Sequence, residues 1–220
     1  MIIGASRGIG LALAREFAVR GWRVVASERT RSDPLHELAN MSGGKVEIVT
    51  ADVTDRASIA ALLSGRVPAM FDAVLVNAGI YDGRSVDAAD DADVAHIMAA
   101  NATGPIRAGR ALLPLLREGG TLGFTTSLMG SITDSSGGAE LYRMSKAAQN
   151  ILARGLFEQE AKKRGIAVLS LHPGWVKTDM GGDNAPVSVE DSARGLADVL
   201  NAPQPLEHRF LDYRGRELPW

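Results

Sequence analysis

The stretch MIIGASRGIGLALAREFAVR, residues 1–20, decides the fold. Three apolar residues lead into a loop with glycines at 4, 8 and 10, and a helix-forming run follows at once. Glycine lets a loop turn tightly and lets backbone N–H groups approach a bound group closely. The helix behind it offers unpaired N–H groups and the positive end of its dipole. A strand, a glycine loop and a helix in that order make a cradle for a pyrophosphate. The contacts are expected from the backbone of Gly4, Ser6, Arg7, Gly8, Ile9 and Gly10. The spacing is G-x-x-x-G-x-G rather than the more familiar G-x-G-x-x-G. A glycine-rich turn without a ligand would read the same in isolation; its place between strand and helix favours the nucleotide reading. Only Met1, Ile2 and Ile3 precede Gly4, so the first strand is short. Such a strand should lie centrally in the sheet. Either the natural chain is longer here or the sheet is weak at its centre.

Working outward, short β-rich runs alternate with helical patterns. Strands are expected at 22–27, 45–50, 72–77, 121–126, 166–171 and 208–212, and helices at 8–20, 33–41, 55–64, 91–117, 141–164 and 189–200. Gly104, Pro105 and Pro114 should bend or break the fourth helix. Ser188, with Asp191 three residues on, reads as a helix start. Alternation of this kind implies right-handed crossovers. The expected fold is a single-domain α/β Rossmann fold over residues 1–220, with a doubly wound parallel sheet of about seven strands covered on both faces.

The bulk numbers suit that class. The chain has 220 residues, 45% hydrophobic and 23% charged, with a net charge of −2. No basic excess points to nucleic acid or an anionic membrane, and no apolar run is long enough for a membrane span. No signal peptide is visible. Cysteine is absent, which removes disulfides and thiolate chemistry. The cytoplasm is the default compartment.

In doubly wound sheets ligands sit beyond the carboxyl ends of the strands. The second strand runs into Glu28 and Arg29. An acidic residue there would accept from ribose hydroxyls and favour NAD; an arginine would pair with a 2′-phosphate and favour NADP. With Arg7 in the glycine loop, cations outnumber the anion and the balance tips slightly to NADP. Asp52, followed by Val53, closes the third strand; it would reach the adenine amino group or cap the next helix. Asn77, Ala78 and Gly79 close the fourth, and the two small residues leave room for a cofactor. In LYRMSKAAQN, residues 141–150, Tyr142 and Lys146 stand four apart on one helix face. Alone, that pair reads as an ordinary solvated face.

These elements occur in an order that resembles the short-chain dehydrogenase/reductase family: GASRGIG, then NAG at 77–79, Asn101, Ser127, the Tyr142–Lys146 pair and PGWVKT at 173–178. The resemblance covers essentially the whole chain. SLMGSI, YRMSKAAQN, HPGWVKTDMGG and the closing ELPW look more narrowly like the C-factor and sniffer-like carbonyl reductases. There are departures. Ile3 stands where the family usually has Thr, which removes a hydroxyl that braces the loop. One Asn precedes Ala-Gly where two are common. Ser127 lies fifteen positions before Tyr142, further than is usual, and the Gly/Ser-rich loop between them can absorb the excess.

The resemblance implies hydride transfer between NADP or NAD and a small carbonyl or alcohol substrate, with Tyr142 as general acid and base. A free phenol titrates near 10. An adjacent ammonium, Lys146, should pull it down toward the working pH and also hold the ribose. Ser127 would bond the substrate oxygen, with Thr126 and Ser131 as neighbouring alternatives. Asn101 would hold a water in a relay through Lys146, or bond local backbone where its helix breaks. Pro173 and Gly174 turn the chain so that the Val176 backbone and Thr178 fix the nicotinamide carboxamide. Substrate contacts are expected from 80–92, 128–141 and 179–188, with Leu128, Met129, Met144, Trp175 and Met180 as pocket or core. His172 beside serines could suggest a hydrolase, but no G-x-S-x-G elbow occurs; His36, His96 and His208 lack metal-ligand spacing, and no metal is expected. The helices at 91–117 and 141–164 resemble those that build homo-oligomers in the family. The competing reading is a nucleotide-binding regulatory protein on the same fold; an intact Ser, Tyr, Lys and Asn set favours the enzyme.

Overall fold

The computed structural model describes residues 1–220. Seven parallel strands form one sheet in the order β3-β2-β1-β4-β5-β6-β7. They are β1 (Ile2–Ile3), β2 (Val24–Glu28), β3 (Val46–Thr50), β4 (Phe71–Val76), β5 (Leu116–Thr125), β6 (Ala167–His172) and β7 (His208–Asp212). The helices are α1 (Gly8–Val19), α2 (Asp33–Met41), α3 (Arg56–Ala61), α4 (Asp91–Met98), α5 (Gly104–Leu112), α6 (Glu140–Leu156) and α7 (Val189–Asn201). β2 is buried along its whole length, as a strand covered on both faces must be. One apolar layer joins Leu13 and Phe17 of α1 to Leu35 of α2 and Leu196 and Leu200 of α7. The opposite layer joins Ile59 of α3, Ile106 and Leu112 of α5 and Leu156 of α6 to Phe124 of β5. The expected doubly wound α/β architecture is what forms.

β1 is short and central, as its sequence predicts. Ile2 aligns with Ala26 of β2 and Leu75 of β4. Flanking bonds extend the ladder, with Leu75 N donating to Met1 O and Ala5 N to Ser27 O. The strand order reverses between β1 and β4, which opens the crevice where such folds bind ligands.

The expected helix over 91–117 is in fact three pieces. α4 ends at Met98, residues 99–103 form a single π turn, and α5 starts at Gly104. Pro105 has no N–H to give the preceding turn, so the ladder widens there. β5 also begins at Leu116, earlier than expected, because the chain leaves the helix after Pro114 and turns through Gly119 with φ +74°. The 141–164 helix is α6 followed by a π turn at 157–161 and a closing 3-10 turn. Ser188 caps α7 by accepting from Asp191 N, as its sequence predicts. No helix is long and apolar enough to cross a membrane.

Candidate active site

The glycine loop lies at the end of β1 and is held from three sides. Gly4 N donates to Ser27 Oγ at 2.9 Å, and Asn77 Nδ2 donates to Gly4 O at 2.9 Å. Thr125 Oγ1 in turn donates to Asn77 Oδ1. These bonds supply the brace that Ile3, in place of a threonine, cannot give. Gly4 has φ +91° and Gly8 φ +53°, conformations that L side chains rarely adopt. A Cβ at Gly4 would lie 2.9 Å from Ala78 N, and one at Gly10 would collide with Gly4 O and Asn77. No side chain caps the amino end of α1, so its first N–H groups face the crevice without a partner from Arg7. This is a cradle that a pyrophosphate fits.

Glu28 differs from expectation. Its carboxylate is turned inward: Oε2 accepts from Ser32 N at 2.7 Å, and Oε1 lies 2.9 Å from His36 Nε2. Both oxygens are engaged in fixing the start of α2, so Glu28 is not a free acceptor for a ribose. Ser32 Oγ donates to Ser6 O, which ties that turn to the glycine loop. Arg29 is exposed and helps hold the Asp52 carboxyl below its usual range, although burial opposes it and the Thr54 bonds contribute more. Arg7 is exposed and pairs with Asp179 at 2.7 Å, bridging the glycine loop to the 179–188 loop.

Asp52 does not cap α3. The cap is Asp55, which accepts from Ala57 N, while Asp52 accepts from Thr54 N and Thr54 Oγ1 in a local turn. The shorter side-chain-to-backbone path belongs to Asp55, immediately before the helix. Val53 is core, packed with Ile59 and Leu62.

Beyond β4, Gly79 faces two of the expected site residues. A Cβ there would sit 3.2 Å from Asn101 Oδ1 and 3.4 Å from Lys146 Nζ. Only glycine leaves the ammonium clear on that side. Asn101, fully buried in the π turn, bonds Ile80 through both ends of its amide and donates to Ser145 Oγ at 3.0 Å. Its side-chain bonds run across to the β4 loop rather than to its own broken helix.

Ser127 lies at the end of β5 and accepts from Met129 N at 3.1 Å. The turn that follows packs directly on α6, since a Cβ at Gly130 would lie 2.8 Å from the Lys146 backbone. That close approach sets the Ser127 turn beside Tyr142, and the Ser127 hydroxyl acts to lower the phenol's pKa. Thr126 Oγ1 is buried without a partner, and Ser131 Oγ accepts from Asp134 N; neither bonds Tyr142. Lys146 Nζ donates to Thr125 O at 2.9 Å and to Gln149 Oε1 at 3.2 Å, and lies 5.8 Å from the Tyr142 ring centre.

The acid–base state differs from the simple expectation. Burial pushes the Tyr142 phenol up to about 12; the Ser127 hydroxyl pulls it down and Tyr81 raises it. Burial also lowers Lys146 to about 7. In the chain without coenzyme Tyr142 is therefore not brought below its ordinary value, because desolvation by burial dominates at both groups. Tyr142 is protonated throughout the physiological range.

The 173–178 segment closes the crevice opposite α1. Gly174 has φ +87°, and Val176 bridges to Val187. Pro173 O accepts from Ser192 Oγ at 2.7 Å. Thr178 approaches the glycine loop, its Cγ2 3.4 Å from where a Gly8 Cβ would be. His172 is half-buried, and desolvation lowers its pKa to about 4. Met129 and Met144 pack around Tyr142 with Ile97 and Leu141, whereas Trp175 and Met180 are exposed.

Three neighbours were not read from the sequence. Tyr81 lays its ring 5.0 Å from that of Tyr142; it lies inside the 80–92 segment expected to contact substrate, but the sequence singles out no role for it by name. Gln149 touches Lys146, a contact that i,i+3 spacing alone would suggest. Trp220 packs on His208 and Phe210, and its carbonyl accepts from Thr133 N and Oγ1, which steadies the loop between Ser127 and Tyr142.

Comparison with known proteins agrees with this fold. The family model for short chain dehydrogenase matches residues 1–187. The C-signal protein of Myxococcus xanthus is 42% identical over 155 residues, spanning 68% of this chain and 92% of that relative. A short-chain dehydrogenase/reductase from Burkholderia multivorans, solved with bound NADP, superposes with a TM-score of 0.92 at 39% identity, covering 100% of this chain and 98% of the other. A carbonyl reductase from Pseudomonas aeruginosa in complex with NADP gives 0.89 at 40% identity, again covering 100% and 98%. The family-model match over residues 1–187 and the 42% identity over 155 residues make this chain a member of the short-chain dehydrogenase/reductase family.

Proposed function

We propose that this chain is an NADP(H)-dependent reductase of small carbonyl compounds, with Tyr142 as proton donor. The observation that carries the reading is the pairing of Tyr142 with the buried Lys146, whose Nζ lies 5.8 Å from the phenol ring centre, where the Ser127 turn at the end of β5 packs on α6. When bound, the coenzyme would supply the hydride that reduces the carbonyl carbon. Ser127 donates to the carbonyl oxygen and holds it against the phenol. Tyr142 gives its proton to that oxygen as negative charge develops there. A phenol pushed up to about 12 is in the donor state at neutral pH, the state that carbonyl reduction requires. Lys146, when protonated, stabilises the phenolate left behind. Asn101 fixes the Ile80 backbone and Ser145 behind this group.

The first N–H groups of α1 and the Gly4–Gly10 loop would hold the pyrophosphate, Lys146 the ribose, and Val176 and Thr178 the carboxamide. Asp52 would face the adenine. Arg29 and Arg7 would take a 2′-phosphate, and the inward turn of Glu28 removes the main objection to NADP. The relatives solved with NADP support the same choice. A second copy of the chain would pack on α6, where Ile151 and Leu152 are exposed.

The test is a titration of the purified protein with NADPH and NADH, followed by a screen of aldehydes, ketones and quinones for loss of reduced-coenzyme absorbance. NADPH should bind more tightly and at least one carbonyl class should turn over. A folded protein that binds neither coenzyme ends the proposal.

A further inference from the structure

The inward face of α6 carries Tyr142, Lys146 and, three residues on, Gln149. Gln149 is fully buried. Its Oε1 accepts from Lys146 Nζ at 3.2 Å, and its Nε2 has no partner. The orientation of the amide is fixed by chemistry, since an ammonium can only donate and must meet the oxygen. A buried amide with one orphaned donor is a poor choice for packing alone; an apolar side chain of the same size would fill the space without stranding an N–H.

No charged side chain acts on Lys146 from any neighbouring element. β5 presents the Thr125 carbonyl and the π turn presents the neutral Asn101 amide. The β4 loop presents Gly79, and the turn after Ser127 presents Gly130. On α6 itself the facing titratable group is Tyr142, with Tyr81 beyond it. The ammonium is therefore held by dipoles. That distinction matters for catalysis. A carboxylate at 149 would hold the cation but cancel its field at Tyr142. An apolar residue would leave it short of an acceptor and prone to lose its proton. A neutral amide oxygen holds the charge and leaves its field intact.

We propose that Gln149 is a positioning residue that keeps Lys146 protonated and aimed beside Tyr142. The proposal rests on the carbonyl-reductase reading for its catalytic meaning, but its physical content is the hold of Gln149 on Lys146.

The experiment follows the side-chain resonance of Lys146 by isotope-labelled NMR against pH, in the chain without coenzyme. Lys146→Met identifies the signal among the five lysines. Lys146 should titrate near 7. Gln149→Met removes one charge-assisted hydrogen bond and should lower that value by about one unit. Gln149→Glu, which keeps the shape, should raise it, and serves if the methionine variant does not fold. In turnover, Gln149→Met should lower kcat/KM for the carbonyl about fivefold where wild-type Lys146 is half protonated, with the loss vanishing as pH falls. A merely structural defect would persist at every pH. An unchanged Lys146 titration in both variants overturns the proposal. A shifted titration in a protein that reduces no carbonyl would sink the reductase reading while leaving the Gln149–Lys146 coupling standing.

Discussion

Replacing Lys146 by methionine should make the fold more stable and the protein inactive, and the gain should depend on pH in a way that identifies its cause. Lys146 is 3% exposed and burial lowers it from 10.5 to about 7. The sign follows from proton binding. The folded pKa lies below the unfolded one, so between pH 7 and 10.5 the unfolded chain holds a proton that the folded chain has released. Wild-type stability therefore rises with pH across that window, by 1.36 kcal/mol per unit of pKa difference, or about 5 kcal/mol in all. Below pH 7 the lysine is protonated in both states and the penalty is full. Above 10.5 it is neutral in both and the penalty is gone. Methionine has no such term. It does leave Thr125 O and Gln149 Oε1 without their donor, which costs roughly 1–3 kcal/mol each at any pH, so the absolute gain is smaller than the penalty removed.

The diagnostic is thus the slope. Urea unfolding of the two proteins at matched pH values cancels every other titrating group. Between pH 6.5 and 9.5 the advantage of Lys146→Met over wild type should shrink by about 3 kcal/mol. A difference that stays flat across that range would refute the argument, because it would mean the lysine is solvated or paired in the fold. A destabilised variant with the predicted slope would instead mean that the lost hydrogen bonds outweigh the desolvation.

Tyr142→Phe should lower turnover by at least about 100-fold while leaving coenzyme affinity unchanged, measured by steady-state rates and coenzyme fluorescence titration; equal loss of both would make the phenol structural. Arg29→Ala should weaken NADPH binding about tenfold or more while sparing NADH, since one charge-assisted contact to phosphate is worth roughly 1.5–3 kcal/mol; an equal effect on both coenzymes removes Arg29 from selectivity. His208 is buried against Ser170 and desolvated to about 4, so the unfolded state takes its proton first as pH falls from 6.5 to 4. The fold should lose up to about 3 kcal/mol there through this one group, and His208→Gln should flatten that part of the urea-midpoint profile.

Much of the fold was legible because its signals are local. β2 and β6 are apolar runs flanked by turn residues, and Ser188 and Asp191 are three apart in sequence and bonded in space. The glycine loop, Asn77, Gly79, Ser127 and the Tyr142–Lys146 pair could be placed because each follows a strand or rides a helix face. What could not be read depended on partners distant in the chain. Whether Glu28 faces a ribose or the protein interior is decided by His36 and by the Ser32 N–H. The π turn at 99–103 is set by Pro105 together with the pull of Ile80 on Asn101. The depth of burial of Tyr142 and Lys146 could not be read either, because residue types give the sign of a charge–charge term but not the desolvation that competes with it.

That competition shows what controls reactivity in this crevice. Neither Tyr142 nor Lys146 has a carboxylate partner, so neither is tuned by pairing of charges. Both are tuned by how closely protein packs on them. Gly130 lets the Ser127 turn rest on the Lys146 backbone, Gly79 lets the β4 loop approach the ammonium, and Tyr81 covers the Tyr142 ring. A Cβ at either glycine would meet protein atoms at 2.8 Å and 3.2 Å, and neither position could open the site without moving a loop. Surface charges elsewhere reach the pair only through screened distances. Changes in this pair's chemistry should therefore arise from the backbone contacts of two glycines and one covering aromatic, not from added or removed charges around the rim.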